Sequence, residues 1–353
     1  MTLKVAIIAD DLTGALDTGT PFVDAGLSVA VAIEIEAIDD ALATGCEVAV
    51  VNTASRALPE GEAARRAGLA ASALLAAHPD IVLKKIDSRL KGNVAAESAA
   101  IAAVFGHREI TIAPAIPDQE RFTRDGHVVG RGVETPLPIA ALFEDRDNSV
   151  VIADADSDAD LDRLVSDHDW QATLAVGARG LGSAIARRLR RARDATTVFE
   201  PERNTLFAFG SRDPITAAQM ARLEASGALR TSISAPMGAL DAIETLSLPA
   251  LLCCTGEMSE DAVTVADRFA KGVQSAIKRT QPDMLMVGGG DTALAVFRAL
   301  GVRTLLPKGE IEAGIPWFDV TDVDGRHFRC AVKSGGFGNS DSLLRLIPQN
   351  QAA

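Results

Sequence analysis

Two adjacent carboxylates stand at the end of an early apolar run, in Asp10-Asp11-Leu12-Thr13-Gly14-Ala15, with Asp17 following. Such a pair can hold a sugar hydroxyl, accept its proton or bind Mg²⁺. A helix cap would need only one of them. A second group lies at Lys84-Lys85-Ile86-Asp87-Ser88-Arg89-Leu90-Lys91-Gly92-Asn93, where four cations, an acid, a hydroxyl and an amide fall within ten residues. This is what a polyhydroxy carboxylate requires: cations for its charge, Asp and Asn for its hydroxyls. Asn52 and Arg56 are expected to point into the same crevice, whereas Lys84 and Arg108 read as solvated charges.

Two glycine-rich turns, Gly288-Gly289-Gly290-Asp291-Thr292 and Lys333-Ser334-Gly335-Gly336-Phe337-Gly338, together with Gly210-Ser211-Arg212-Asp213, make up the third group. Glycines between a strand and a helix let a phosphate approach backbone N–H groups and the helix dipole. None matches a Walker A motif or the dinucleotide fingerprint. Together they point to a nucleotide site in the second half, with the acid site in the first.

These groups need strand ends to hold them. Short β-rich apolar runs at 5–9, 29–33, 47–52, 81–85 and 109–113 alternate with helical stretches at 13–25, 60–77 and 94–104. Further runs at 149–153 and 173–176 precede a helix from 181. Strand alternating with helix predicts a parallel sheet covered on both faces, with ligands beyond the carboxyl ends of the strands. A charged stretch at 187–204 reads as a linker, and the pattern resumes with strands at 206–210, 251–254 and 283–287 and helices at 261–277 and from 291. A chain of 353 residues exceeds one ordinary domain. The expected organisation is therefore α/β with two domains, each a largely parallel sheet flanked by helices. Residues 1–195 would bind the sugar acid and 205–353 the nucleotide, with the active site in the cleft between them.

A net charge of −13 argues against nucleic acid and anionic membrane surfaces as partners. The four cysteines, Cys46, Cys253, Cys254 and Cys330, lack zinc-ligand spacing and read as packing residues in a reducing compartment. Asp10 interrupts the N-terminal apolar run before a signal peptide would form, so a cytoplasmic location is expected. The oligomeric state is left open, a homo-oligomer included.

In these residues the chain resembles the four-carbon acid sugar kinase family, ATP-dependent enzymes acting on threonate, erythronate and 3-oxo-tetronate type substrates. The matching stretches begin with 8–15, Lys85-x-Asp87-Ser88 with Gly92-Asn93, and Asp125-Gly126-His127 followed by Glu134-Thr135. They continue in order with Gly210-Ser211, Thr216-x-x-Gln219, 288–293, Gly309-Glu310-Ile311-Glu312-x-Gly314-Ile315-Pro316 and 333–338. The resemblance implies acid-sugar contacts from Asp10, Asp11, Arg56, Lys85, Asp87, Ser88, Gly92 and Asn93. It implies ATP contacts from Ser211, Gly289, Gly290, Asp291, Thr292 and Gly335 or Gly336. Where the family carries Asp-Ser-Thr-x-Arg-Gly-Asn, this chain has Arg89 and Lys91 in place of the threonine and arginine. Lysine is a point charge that cannot grip a carboxylate through a bidentate fork, and Arg89 is the natural compensation.

The expected chemistry is phosphoryl transfer from ATP with Mg²⁺. Asp11 or Asp87, with Asp10 next, would take the acceptor proton, and Lys333 or Arg212 would offset phosphoryl charge. Asp291 competes for the metal or base role, and His127 is the one histidine within a motif. A sugar-acid-binding or regulatory protein lacking transfer remains the alternative. A dehydrogenase or isomerase is disfavoured because the dinucleotide fingerprint is missing.

Overall fold

Runs of buried β-branched residues and alanine set out the first half. In the computed structural model, which describes residues 3–144, 148–191, 197–240, 243–257 and 259–348, the chain divides into two compact units, Met1–Thr196 and Thr197–Ala353. Residues 192–196 of the expected linker lie outside the described residues.

The first unit runs β1 (Val5–Ala9), α1 (Leu12–Asp24), β2 (Val29–Ala32), α2 (Ile38–Ala43), β3 (Val48–Asn52), α3 (Glu60–Leu75), β4 (Ile81–Lys85), α4 (Val94–Phe105) and β5 (Glu109–Ala113). Three short strands follow, β6 (Arg121–Arg124), β7 (His127–Gly130) and β8 (Leu137–Pro138). β9 (Ser149–Ile152), α5 (Asp158–Asp167), β10 (Thr173–Gly177) and α6 (Arg179–Arg188) complete it. Its main sheet has the order β2-β3-β1-β4-β10-β5-β9, parallel throughout. Every residue of β1 to β4 and β10 is buried, as strands covered on both faces require. On α3, buried Ala63, Ala67, Ala70, Ala71 and Leu74 recur at helical spacing, and these small side chains let α3 lie closely against α4.

The chain leaves β1 toward β2 on one side and leaves β4 toward β5 on the other. Right-handed crossovers in opposite directions put α1 and α4 on opposite faces, which opens a crevice beyond the ends of β1 and β4.

The second unit runs β11 (Thr205–Phe209), α7 (Pro214–Ala225), β12 (Thr231–Pro236), β13 (Ala250–Thr255), α8 (Ala262–Thr280), β14 (Met284–Gly288) and α9 (Gly290–Ala299). It continues through β15 (Thr304–Leu305), β16 (Pro307–Glu310), β17 (Pro316–Thr321) and β18 (His327–Lys333). The sheet order β12-β13-β11-β14-β18-β17-β16 places β11, β14 and β18 side by side, and the last two strands are antiparallel. Phe207, Phe209, Met284, Met286 and Trp317 fill its core.

Two features depart from the expected alternation: the antiparallel edge β16–β17 and the β6–β8 excursion between β5 and β9. Asp125 and Gly126 both have positive φ (48° and 72°), the backbone of a two-residue hairpin turn that Asp-Gly favours. All four cysteines are unpaired, and three of them are buried. No helix among the described residues is long and apolar enough to cross a membrane.

Candidate active site

Asp11 begins α1 as its N-cap, accepting the Gly14 N–H at 3.1 Å and the Thr13 hydroxyl at 2.5 Å. Its neighbour Asp10 is buried and faces Arg56, which reaches across from the loop after β3. Arg56 donates through Nε (2.8 Å) and Nη2 (2.9 Å) to the two oxygens of Asp10, and its Nη2 also reaches Asp11 Oδ1 at 2.7 Å. Burial pushes the Asp10 carboxyl up, but Lys84, Arg56 and Lys85 outweigh it and hold Asp10 below the usual carboxylate range. Burial likewise works against the Arg56 guanidinium, yet Asp11 and Asp10 prevail and raise its pKa. Asp10 is therefore a poor base, since both of its oxygens are committed to Arg56.

Lys85, at the end of β4, completes the wall. A Cβ on Gly14 would stand 2.4 Å from Asp11 Oδ1 and 2.7 Å from Lys85 Nζ, which puts the ammonium beside the clamp. Lys85 is 5% exposed, and no described carboxylate lies within ion-pair distance of it. Gly92 closes the floor. Its φ of +89° suits glycine, and a Cβ there would stand 2.9 Å from Asp10 Oδ2.

The loop after β4 turns on Asp87, whose Oδ1 accepts the Arg89 N–H at 2.9 Å. Asp87 is half-buried and acts electrostatically on both Arg56 and Arg121. Ser88 is buried and accepts a 2.5 Å hydrogen bond from Arg121 Nη1. The structure thus gathers Asp10, Asp11, Arg56, Lys85, Asp87, Ser88, Arg89 and Gly92.

Other expected residues sit differently. Asn93 Nδ2 donates to the Leu58 carbonyl (2.9 Å), so the amide fastens two loops to each other. Asn52 is likewise tied to backbone, donating to Ile33 O and accepting from Ala54 N, both at 2.9 Å. Lys91 is exposed. His127 stands at the turn of the β6–β7 hairpin, its Nδ1 2.7 Å from Asp125 O, at the opposite end of the ladder from Arg121. Lys84 corrects the expectation of a solvated charge. It is 1% exposed and ion-paired with Glu97, itself bonded by Ser55 Oγ at 2.8 Å, because it belongs to a central strand rather than to the loop. Arg108 is exposed, as expected.

In the second unit, the loops after β11, β14 and β18 meet. Gly210 N donates to Gly288 O (3.1 Å) and Gly289 N to Lys333 O (3.0 Å), which laces the three strand ends together. Gly289, with φ +104°, precedes α9 without a side-chain cap, so this ten-residue helix starts at a glycine turn of the kind that suits a phosphate. A Cβ on Gly289 would stand 3.5 Å from Thr292 Oγ1 and 3.4 Å from Ser211 N, and one on Gly335 2.7 Å from Ser211 Oγ. Ser211, Gly289, Thr292 and Gly335 therefore line one cradle, with Gly290 and the exposed Asp291 in the first turn of α9. Gly336 faces Asp213, whose Oδ2 lies 3.7 Å from where its Cβ would be.

Lys333 differs from the expectation of a phosphate contact. Its buried Nζ donates to Thr216 Oγ1 (2.9 Å), Ser334 O (2.9 Å) and Gly335 O (3.0 Å), which uses all three donors of the ammonium. It supports the glycine loop from beneath. Burial pushes its pKa down to about 8, against the pull of Asp213 and Glu312. From α7, Thr216 Oγ1 donates to Gly335 O and Gln219 Nε2 to Phe337 O and Asn339 O, which explains the Thr216-x-x-Gln219 pattern.

Arg121 is the residue that sequence reasoning missed. It lies in a polar stretch without an apolar run, and the usable signal was Asp125-Gly126, which marks a hairpin with Arg121 at its base.

Comparison with known proteins adds the family. Residues 5–141 match a model described as a sugar-binding N-terminal domain, and residues 250–343 one described as a nucleotide-binding C-terminal domain. The D-threonate kinase of Bordetella bronchiseptica is 27% identical, over 97% of this chain and 96% of that protein. The 3-oxo-tetronate kinase of Methylobacterium radiotolerans is also 27% identical, over 98% and 99%. A solved structure from Salmonella typhimurium LT2, 18% identical and covering 98% of each chain, superposes with a TM-score of 0.72 and shares the fold. With the ordered motifs and both domain models in place along its length, the chain belongs to the four-carbon acid sugar kinase family.

Proposed function

We propose that this chain is an ATP-dependent kinase that transfers the γ-phosphoryl group to a hydroxyl of a four-carbon sugar acid such as threonate, erythronate or 3-oxo-tetronate, or a close relative. One observation carries the reading: Lys85 is a buried ammonium with no described carboxylate at ion-pair distance, set beside the Asp10–Arg56–Asp11 clamp and the half-buried Asp87. A buried charge left without a counterion is costly, and an anionic ligand supplies what is lacking.

In this mechanism the first unit binds the acid and the second binds ATP. Arg56 keeps Asp10 ionised and fixes both Asp10 and Asp11 in place, so both accept hydrogen bonds from substrate hydroxyls. Asp87 is the base. One of its oxygens holds the Arg89 N–H, while the other has no hydrogen-bond partner among the described residues and takes the acceptor proton. The deprotonated oxygen attacks the γ-phosphorus, the bond to the β-phosphate oxygen breaks, and ADP leaves. The amides of Gly289, Gly290 and Gly335, with the hydroxyls of Ser211 and Thr292, hold the polyphosphate, and the exposed Arg212 offsets its charge.

No cluster of three or more His, Cys, Asp or Glu suited to a metal occurs among the described residues, but Mg²⁺ carried by ATP needs only one or two carboxylates. Asp213, beside the glycine loop, fits that role, with Asp291 next. When bound, the ion supplies charge neutralisation.

The test is ADP release from the full chain with ATP and Mg²⁺ against C4 to C6 aldonic and oxo-aldonic acids. Turnover on a four-carbon acid is expected. Acid binding without ADP formation on any of them would replace the kinase with a binding protein.

A further inference from the structure

We infer that Arg121, with Arg89 beside it, selects for the carboxylate of the acceptor: the two guanidiniums at the base of the β6–β7 hairpin join Lys85 in holding the anionic head of the acid while the strand-end carboxylates face its hydroxyls. This rests on the sugar-acid reading of the site above.

Not every buried or half-buried cation of the first unit has a carboxylate partner. Arg56, Lys84 and Arg179 are each joined to a carboxylate: Asp10 and Asp11, Glu97, and Asp17 respectively. Arg121 is held just as firmly, but by neutral acceptors. Its Nε and Nη2 donate to the Arg131 carbonyl at 3.2 and 3.1 Å, and its Nη1 to Ser88 Oγ at 2.5 Å. No described carboxylate lies within 4 Å of its guanidinium nitrogens. A guanidinium has five N–H donors, so this arrangement fixes the group and leaves two free.

The surroundings add positive charge. Burial, then Arg89 and Arg131, push the Arg121 pKa down, opposed only by Asp87. Arg89 Nη1 and Arg121 Nη2 each lie 3.7 Å from the point where a Cβ on Gly132 would sit. Two guanidiniums therefore flank one spot that carries no side chain. A planar fork matches a carboxylate through two parallel hydrogen bonds, which the ammonium of Lys91 cannot provide. Ser88 links the hairpin to the loop bearing Asp87, so an acid held at Arg121 has its hydroxyls on the side of the proposed base.

The experiment compares the full-length wild type with R121Q and R121K on D-threonate and D-erythronate and on the uncharged threitol and erythritol. For R121Q, KM for the acids is expected to rise by about 10- to 100-fold, the worth of a charged bidentate contact, with a smaller change in kcat. The ratio of kcat/KM for acid over polyol should fall by a similar factor, and R121K should recover part of it. An unchanged ratio overturns the proposal. If R121Q does not fold, R89Q at its exposed position provides the second variant, and a KM for the acids unchanged from wild type there overturns it too. If the wild type turns over neither acid, calorimetric binding of D-threonate separates the two ideas. Binding that weakens in R121Q upholds Arg121 while the kinase reading fails, and no binding, or equal binding by both, ends the Arg121 proposal.

Discussion

Arg56 closes on Asp10 through two parallel hydrogen bonds, 2.8 and 2.9 Å long, and carries Asp11 on the same guanidinium. Replacing it with alanine leaves two carboxylates adjacent, one of them buried, with their main counterion gone. Arg56→Ala is expected to destabilise the first unit by about 2–3 kcal/mol at neutral pH, read from the urea midpoint. Because the Asp10 pKa is depressed in the fold, the pairing stabilises above the unfolded carboxylate range and is lost as pH falls through the folded value. The difference between wild type and variant should therefore shrink in acid, and a pH-independent difference would contradict this assignment.

Lys84 and Glu97 form an ion pair with side chains 1% and 0% exposed. Lys84→Met is expected to cost about 3–5 kcal/mol because Glu97 is left charged and buried. Lys84→Met combined with Glu97→Leu should recover most of that loss. A double variant as unstable as the single one would show that the pair does more than neutralise itself.

Lys333 titrates near 8 in the fold against an ordinary value of 10.5. Between those values the unfolded chain carries the extra proton, so this group's contribution to stability rises with pH. Local geometry responds in the opposite sense. A neutral amine has two N–H donors, so one of the contacts to Thr216, Ser334 and Gly335 is lost. Nucleotide affinity should weaken as pH rises through about 8 while the melting temperature does not fall with it, measured by fluorescence titration and calorimetry. Parallel decline of both would indicate general unfolding instead.

Asp87→Asn removes the proposed base while keeping the side-chain oxygen that accepts from Arg89. Turnover should drop by about 10²- to 10⁴-fold, with the Kd for ATP unchanged. Full activity in this variant would remove Asp87 from the chemistry.

The parallel framework was legible because its signal is local. Val5–Ala9, Ile81–Lys85 and Glu109–Ala113 are uninterrupted apolar or β-rich runs, and all three appear as strands with the expected bounds. The two site clusters were legible for a related reason, since strand-to-helix junctions concentrate unusual residue types. Partnerships were not legible. Lys84 and Lys85 are neighbours in sequence, yet alternation along the strand sends one to Glu97 and the other to the ligand side. Lys333 reads as a phosphate lysine until Thr216, more than a hundred residues earlier, is seen to share its ammonium. Arg121 lies on a hairpin whose strands are too short and polar to show a period.

The β6–β8 excursion leaves the main sheet after β5 and returns at β9, the strand at its outer edge. An exchange that keeps the buried Val128 and Ile139, which pack in the same core as the main sheet, is expected to leave the strands that carry Asp10 and Lys85 in place. Acceptor preference across such enzymes can then diverge by grafting or drift in one peripheral hairpin while the reaction core is inherited intact, and that hairpin is where engineering for a new acid should begin.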